Sequence, residues 1–323
     1  MTLTRRTFLA GTTGSLIATG LWAQTGDIIK IAGLAFGAHW RVSLPMGIDT
    51  DAVVAEVSEI IGAVDMMMSP FHPSSEISVF NRTRTIATFP VSADVITTVL
   101  EARRIAELTQ GAFDPTLGGV VGRYGFGPIT SAPAGAFADL VIARTGLRKA
   151  HAAQTLDLCG IAKGFALDRI AAALRQLGHQ DFFVELGGEV FAQGQHPQGR
   201  RWQAGLERPA AGDWTLQGTV TVAHEALATS GDLVNSYLYD DRRYCHIIDP
   251  QSQQPTQSAL ASVSVFAPRA MTADALATAL YAMGPHDGVD FARRHRIPAL
   301  FITRSPSGLI ETMTHDFSDR RMG

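Results

Sequence analysis

Helical and strand periodicities share this chain without alternating one for one, and no other feature limits its fold more. Apolar residues recur at helical spacing over Thr50–Met68 (Val53, Val54, Val57, Ile60, Ile61, Val64), with Thr50 or Asp51 placed to cap the start. Residues 92–109 repeat the pattern, with Ser92 as cap and Gly111 beyond the end. A third helix is expected over 162–177, stopped at Gly178, and a fourth over 272–283, stopped at Gly284. Residues 136–145 fit a short helix, while 111–128 are Gly-rich without a period. Strand patterns fill 28–44, 155–158, Phe182–Leu186, much of 190–240, 300–303 and 309–312. A doubly wound parallel sheet needs a crossover helix for each strand. This order lacks them and predicts an α+β fold: one compact unit of mixed sheets and packed helices. No repeat or low-complexity linker divides it.

Composition sets the class. At 323 residues and 46% hydrophobic, the chain can bury a large core without staples. Its two cysteines, Cys159 and Cys245, are too few for a disulfide framework or a four-cysteine zinc site, and two buried free thiols are expected. A formal charge of −3 with no basic cluster argues against nucleic acid as a partner. A soluble enzyme or binding protein is what remains.

The first residues read as an address. Arg5-Arg6-Thr7-Phe8-Leu9 precedes an apolar run rich in Gly, Ala and Thr that ends at Leu21-Trp22-Ala23. A charged start, a short apolar stretch and a small-residue exit make a signal peptide, here of the twin-arginine kind. Residues 1–23 are therefore expected to be removed, leaving 24–323 as the working domain in the periplasm. No cysteine stands near the cleavage point to carry a lipid, so no stable membrane anchor is expected.

Four segments carry residues suited to chemistry. In 272–278, Asp274 and Thr278 are four apart and share a helix face, a hard-oxygen pair that suits Mg²⁺; a carboxylate near a helix start is also ordinary helix chemistry. In 157–164, a glycine-bracketed turn leads into a helix and exposes backbone N–H groups to an anion, with Lys163 adding charge. It lacks the P-loop spacing and equally fits a plain strand-to-helix turn. In 111–127, glycines beside Phe113, Tyr124 and Phe126 permit close approach of a planar ligand, or a loop packed on its own aromatics. In 244–250, His246 is either an acid–base group or a structural histidine.

Together the segments resemble a known family. Asp157 to Gly164, Ala228-Thr229-Ser230-Gly231, Tyr244 to Pro250 and Ala270 to Thr278 occur in the order found in the ApbE family of flavin transferases. Gly111 to Thr116, Val184 to Glu189 and Gly33 to Trp40 resemble further blocks of that family, with Phe36 where Met is usual. Cys159 and Cys245 stand where the family commonly has Gly and Ser. The likeness covers about residues 30 to 315.

The resemblance implies an ApbE-like, T-fold-like architecture and an FAD:protein FMN transferase. Such an enzyme moves FMN from FAD to a Thr or Ser hydroxyl of an acceptor protein, leaves a phosphoester, and releases AMP with Mg²⁺. It assigns Asp274, Thr278 and the Ala162 carbonyl to the metal. Ala112, Phe113 and Asp114 would line the FAD pocket, with Phe36 and Phe71 as walls. Gly160, Lys163 and Ala166 would follow the pyrophosphate, and His246 and Ile247 would flank the flavin. His246, Asp274 and Lys163 carry the expected catalytic roles. An Mg²⁺-dependent FAD pyrophosphatase would use the same residues; a flavin carrier without turnover is a third reading, against which the Asp274/Thr278 pair argues.

Overall fold

The computed structural model describes residues 21–25, 27–130, 132–210 and 215–322. Residues 1–20 of the expected signal lie outside the described residues. Among those described, nine strands form one sheet in simple chain order: β1 (Leu21–Thr25), β2 (Ile28–Ala35), β3 (Ala38–Pro45), β4 (Phe182–Leu186), β5 (Glu189–Gln193), β6 (Glu225–Gly231), β7 (Leu260–Ala267), β8 (Ala299–Ser305) and β9 (Gly308–Thr314). Every neighbouring pair is antiparallel, so no crossover helices are needed and the α+β expectation holds. The cleavage point expected near Ala23 falls within β1, which pairs with β2.

The helices enter in two places. Between β3 and β4 come α1 (Thr50–Met68), α2 (Glu76–Arg82), α3 (Ala93–Leu108), α4 (Gly118–Arg123) and α5 (Ala162–Gln176); α6 (Ala270–Arg294) joins β7 to β8. No helix among the described residues is long and apolar enough to cross a membrane. The period of two along β4 sorts its side chains. Phe182, Val184 and Leu186 share a core with Phe165, Ile170 and Leu276 of α5 and α6. Phe183 turns to the other face, where Phe266, Trp202, Val220 and Phe317 form a second core. Each fully buried side chain of this size contributes roughly 1.5–3 kcal/mol. With both faces covered, β7 is buried along its whole length.

Several local expectations need correction. Asp49 caps α1, accepting from the Asp51 N–H at 3.1 Å. Residues 136–145 are not a helix. A single 3₁₀ turn at Phe137–Asp139 leads into a strand at Val141–Ala143, paired with Gly146–Arg148. Residues 155–158 join no ladder, because the Asn81 side chain takes the place of a partner strand. Its Nδ2 donates to the Leu156 carbonyl and its Oδ1 accepts from the Leu156 N–H, both at 2.8 Å. Gly284 (φ 82°, ψ −176°) leaves helical geometry, so the first helical run of α6 stops there as expected; a second run resumes at Pro285, where a missing N–H costs little. The Gly-rich stretch 111–128 holds the short α4.

Candidate active site

The first turns of α5 and α6 receive no side-chain cap from their own leading residues, Ile161 and Arg269. Each helix caps the other instead. Asp168 of α5 accepts from the N–H groups of Ala270 (2.7 Å) and Met271 (3.1 Å). Asp274 of α6 accepts at Oδ2 from the Gly164 N–H (3.0 Å). The approach is tight: a Cβ on Gly164 would sit 2.4 Å from the Ala270 carbonyl oxygen. Two helix N-termini, each the positive end of a macrodipole, therefore meet at one place, which is a natural seat for an anion.

Asp274 and Thr278 come together there as their spacing predicts, one turn apart on α6. Asp274 is buried, and among the described residues the Gly164 N–H is its only hydrogen-bond partner, which leaves Oδ1 open. Burial raises its carboxyl, with Lys163 and the Gly164 N–H opposing. Thr278 Oγ1 lies 3.2 Å from Ser230 Oγ at the end of β6. Gly160 fits between this threonine and Phe113, since a Cβ there would lie 3.2 Å from Phe113 Cε2 and 3.4 Å from Thr278 Oγ1. Ala162 opens α5 beside them. No group of three His, Cys, Asp or Glu able to hold a metal occurs among the described residues. An open carboxylate oxygen, a hydroxyl and a backbone carbonyl are nonetheless hard-oxygen donors. They fit Mg²⁺, which usually takes one or two carboxylates and completes its shell with water and substrate phosphate.

Lys163 is the second residue of α5 and pairs with Glu189, Nζ to Oε1 at 2.5 Å. Burial works against the ammonium, but the charges of Glu189 and then Asp274 outweigh it and raise its pKa. Glu189 is buried, and among the described residues its Oε2 has no hydrogen-bond partner; burial raises this carboxyl against the pull of Lys163. Glu189 follows the turn Gly187-Gly188, whose φ values of 62° and 102° favour glycine. Its block is among those quoted for the family, yet nothing in the pattern marks its side chain as part of a site.

His246 is half-buried, with Nδ1 3.3 Å from the Asn235 carbonyl oxygen. That oxygen only accepts, so Nδ1 carries the proton and Nε2 of the neutral ring is left as an acceptor. Burial lowers its pKa, with the Asn235 bond opposing and Lys163 adding to the fall. Ile247 is buried beside it. Phe126 meets the His246 ring edge-on at 6.4 Å and stacks on Tyr237, which stacks on Tyr244, which stacks on Tyr124. The Gly-rich loop thus packs on aromatics of a distant hairpin (Ser236–Tyr239 with Arg242–Cys245) rather than only on its own.

The remaining expected residues divide. Phe113 is buried against Gly160, and its N–H donates to Thr109 Oγ1 at 3.2 Å; Ala112 precedes it, half-buried. Asp114 accepts from the Thr116 N–H (2.8 Å) and Oγ1 (2.6 Å), so it shapes the loop. Phe36 (φ 52°) sits with Gly37 at the tip of the β2–β3 hairpin. It is exposed there, and so is Phe71 between α1 and α2. Ala166 lies apart from the open end of the helix. The free N–H groups of α5 end before Phe165, whose N–H already bonds the Ile161 carbonyl, and Ala166 is fully buried in the helix-side core. Both thiols are free, and Cys245 is buried, as expected; Cys159 differs in being exposed.

Comparison with known proteins adds the family. The model of the ApbE family matches residues 36–301. The chain belongs to the ApbE family. It is 31% identical to an FAD:protein FMN transferase of Vibrio cholerae over 329 residues, covering 97% of this chain and 98% of that one. A Haemophilus influenzae protein of the same name is 31% identical over 316 residues, covering 90% of each. Among solved structures, the flavin transferase ApbE from Vibrio cholerae matches with a TM-score of 0.81 at 30% identity, covering 91% of this chain and 99% of that one. The apo flavinyl transferase ApbE of Pseudomonas stutzeri matches with a TM-score of 0.81 at 30% identity, covering 91% and 96%. The single α+β unit seen here is therefore the ApbE fold, and the convergent helix starts lie within the matched region.

Proposed function

We propose that this chain is an Mg²⁺-dependent transferase that moves FMN from FAD to a Thr or Ser hydroxyl of an acceptor protein. Membership in a family of flavin transferases supports the flavin chemistry. The observation that carries the finer reading is the Asp274/Thr278 pair set where the N-termini of α5 and α6 meet. A dianionic pyrophosphate needs such a seat, and the positive ends of the two helices and Lys163 supply fixed positive charge to it. Asp274, Thr278 and the Ala162 carbonyl would hold Mg²⁺, which supplies Lewis acidity toward a phosphoryl oxygen.

The acceptor hydroxyl attacks the flavin-side phosphorus, and the bond to the AMP oxygen breaks. Nε2 of neutral His246 takes the hydroxyl proton, and Lys163 steadies the charge that develops on departing AMP. No nucleophile is needed from this chain, because the acceptor brings it. The Arg5-Arg6 signal supports a periplasmic reaction on an exported electron-transfer protein.

Product analysis tests it. FAD, Mg²⁺ and acceptor should yield AMP and flavinylated acceptor in equal amounts, with none from an acceptor whose Thr is replaced by Ala. Free FMN and AMP in the absence of acceptor would mark a pyrophosphatase. Uncleaved FAD would mark a carrier.

A further inference from the structure

We infer that Glu189 is a positioning residue that holds Lys163 at the phosphate side of the site and away from Asp274, keeping the Asp274 carboxylate available to the divalent cation. The inference rests on the proposed metal role of Asp274 and Thr278.

Three groups carry it. Lys163 has two carboxylates within reach of its field, Glu189 and Asp274. Its ion pair goes to Glu189, and among the described residues Asp274 makes none. Among the described residues, Glu189 in turn has Lys163 as its only side-chain partner, while its second oxygen is buried without a hydrogen bond. A buried acceptor left unmet is unfavourable, and an apolar residue would satisfy the fold more cheaply. The cost makes sense if the charge itself is needed beside Lys163. The backbone guides the pair: a Cβ on Gly187 would meet Lys163 Cδ at 3.5 Å and Glu189 Oε2 at 3.6 Å, so the turn lies directly over both side chains. A four-carbon ammonium released from Glu189 has one buried carboxylate left to pair with. That carboxylate is Asp274, whose Oδ1 is open. A lysine bound there competes with a cation for the same oxygen.

The test is a double-mutant cycle on cation binding, independent of turnover. Mn²⁺ is titrated into the full chain with FAD present, and free Mn²⁺ is read by electron paramagnetic resonance. Glu189→Gln is expected to weaken Mn²⁺ binding about tenfold when Lys163 is present, and less than about twofold in the Lys163→Met background. An equal loss in both backgrounds would mean that Glu189 acts only as a distant negative charge, which overturns the inference. No loss in either background overturns it too. A wild-type chain that binds no Mn²⁺ with FAD removes both this inference and the metal role beneath it, so the two failures are distinguishable. Should the Gln variant not fold, Glu189→Asp serves. It keeps the charge but shortens the reach, and it should show a smaller loss that again vanishes without Lys163.

Discussion

The Gly164 N–H donates to Oδ2 of Asp274 at 3.0 Å, joining the first turn of α5 to the first turns of α6 across 110 residues of sequence. One carboxylate thereby serves two ends. Oδ2 caps a helix, and Oδ1 faces the place where a cation and a pyrophosphate would meet. Asp168 returns the favour to α6, so the two helix starts are fixed relative to each other before any ligand arrives.

The two oxygens of Asp274 can be separated by substitution. Asp274→Asn keeps an acceptor for Gly164 and removes the charge. It should fold normally and lose Mg²⁺-dependent FMN transfer by about 100-fold or more. Asp274→Ala loses the cap as well, which costs about 1 kcal/mol on top of the activity. Thermal melting beside a transfer assay checks both.

Gly164→Ala should be far more damaging than its size implies. The new methyl would meet the Ala270 carbonyl oxygen at 2.4 Å and the Met271 Cα at 2.7 Å, both rigid backbone. Helix propensity favours the change, yet overpacking should dominate, with a loss of about 3 kcal/mol or more. Denaturant unfolding measures it.

These two residues also mark how far the sequence could be read. The spacing of Asp274 and Thr278 placed both on one helix face, and they lie there. The helix at 162–177 and its leading turn were equally legible, because glycines and apolar period are local signals. What was not legible is tertiary. Asn81 stands in for a strand partner of Leu156, so a period-two run became an unladdered segment. Glu189 and Ser230 come to the site through sheet register and helix contact; both lie in quoted motif blocks, yet neither side chain is singled out by its local pattern. Ala166 looks like part of an anion turn in sequence, but the Phe165 N–H before it already bonds the Ile161 carbonyl, and Ala166 is fully buried.

His246 makes stability depend on pH. Its folded pKa lies below the ordinary 6.5, chiefly because burial disfavours the charged ring. The unfolded chain therefore takes up the proton first as pH falls. The contribution is present above 6.5 and is lost as pH drops through that value toward the folded one. Wild type should lose more melting temperature than His246→Gln between pH 7.5 and pH 5.5. An equal loss would assign the pH dependence to other groups.

Cys159 and Cys245 should separate under alkylation. Cys245 is buried, with Sγ 3.2 Å from Thr256 Oγ1 and 3.6 Å from the Ile247 carbonyl oxygen. Cys159 is exposed, and its thiol is pushed well up, first by desolvation and then by Asp157. Iodoacetamide should label one site on the native chain, slowly at neutral pH and faster as pH rises. Because Cys159 adjoins Gly160 and Asp157, the label should weaken FAD binding. Peptide mapping and flavin fluorescence read the two effects.

The most direct measurement is the intact mass of an acceptor domain incubated with this chain, FAD and Mg²⁺. Parallel samples contain EDTA or the Asp274→Asn variant. A gain of one FMN, joined with loss of water, is expected, and it disappears in both parallel samples and in an acceptor lacking the target hydroxyl. A gain that persists with EDTA and with Asp274→Asn would contradict the metal-dependent transfer.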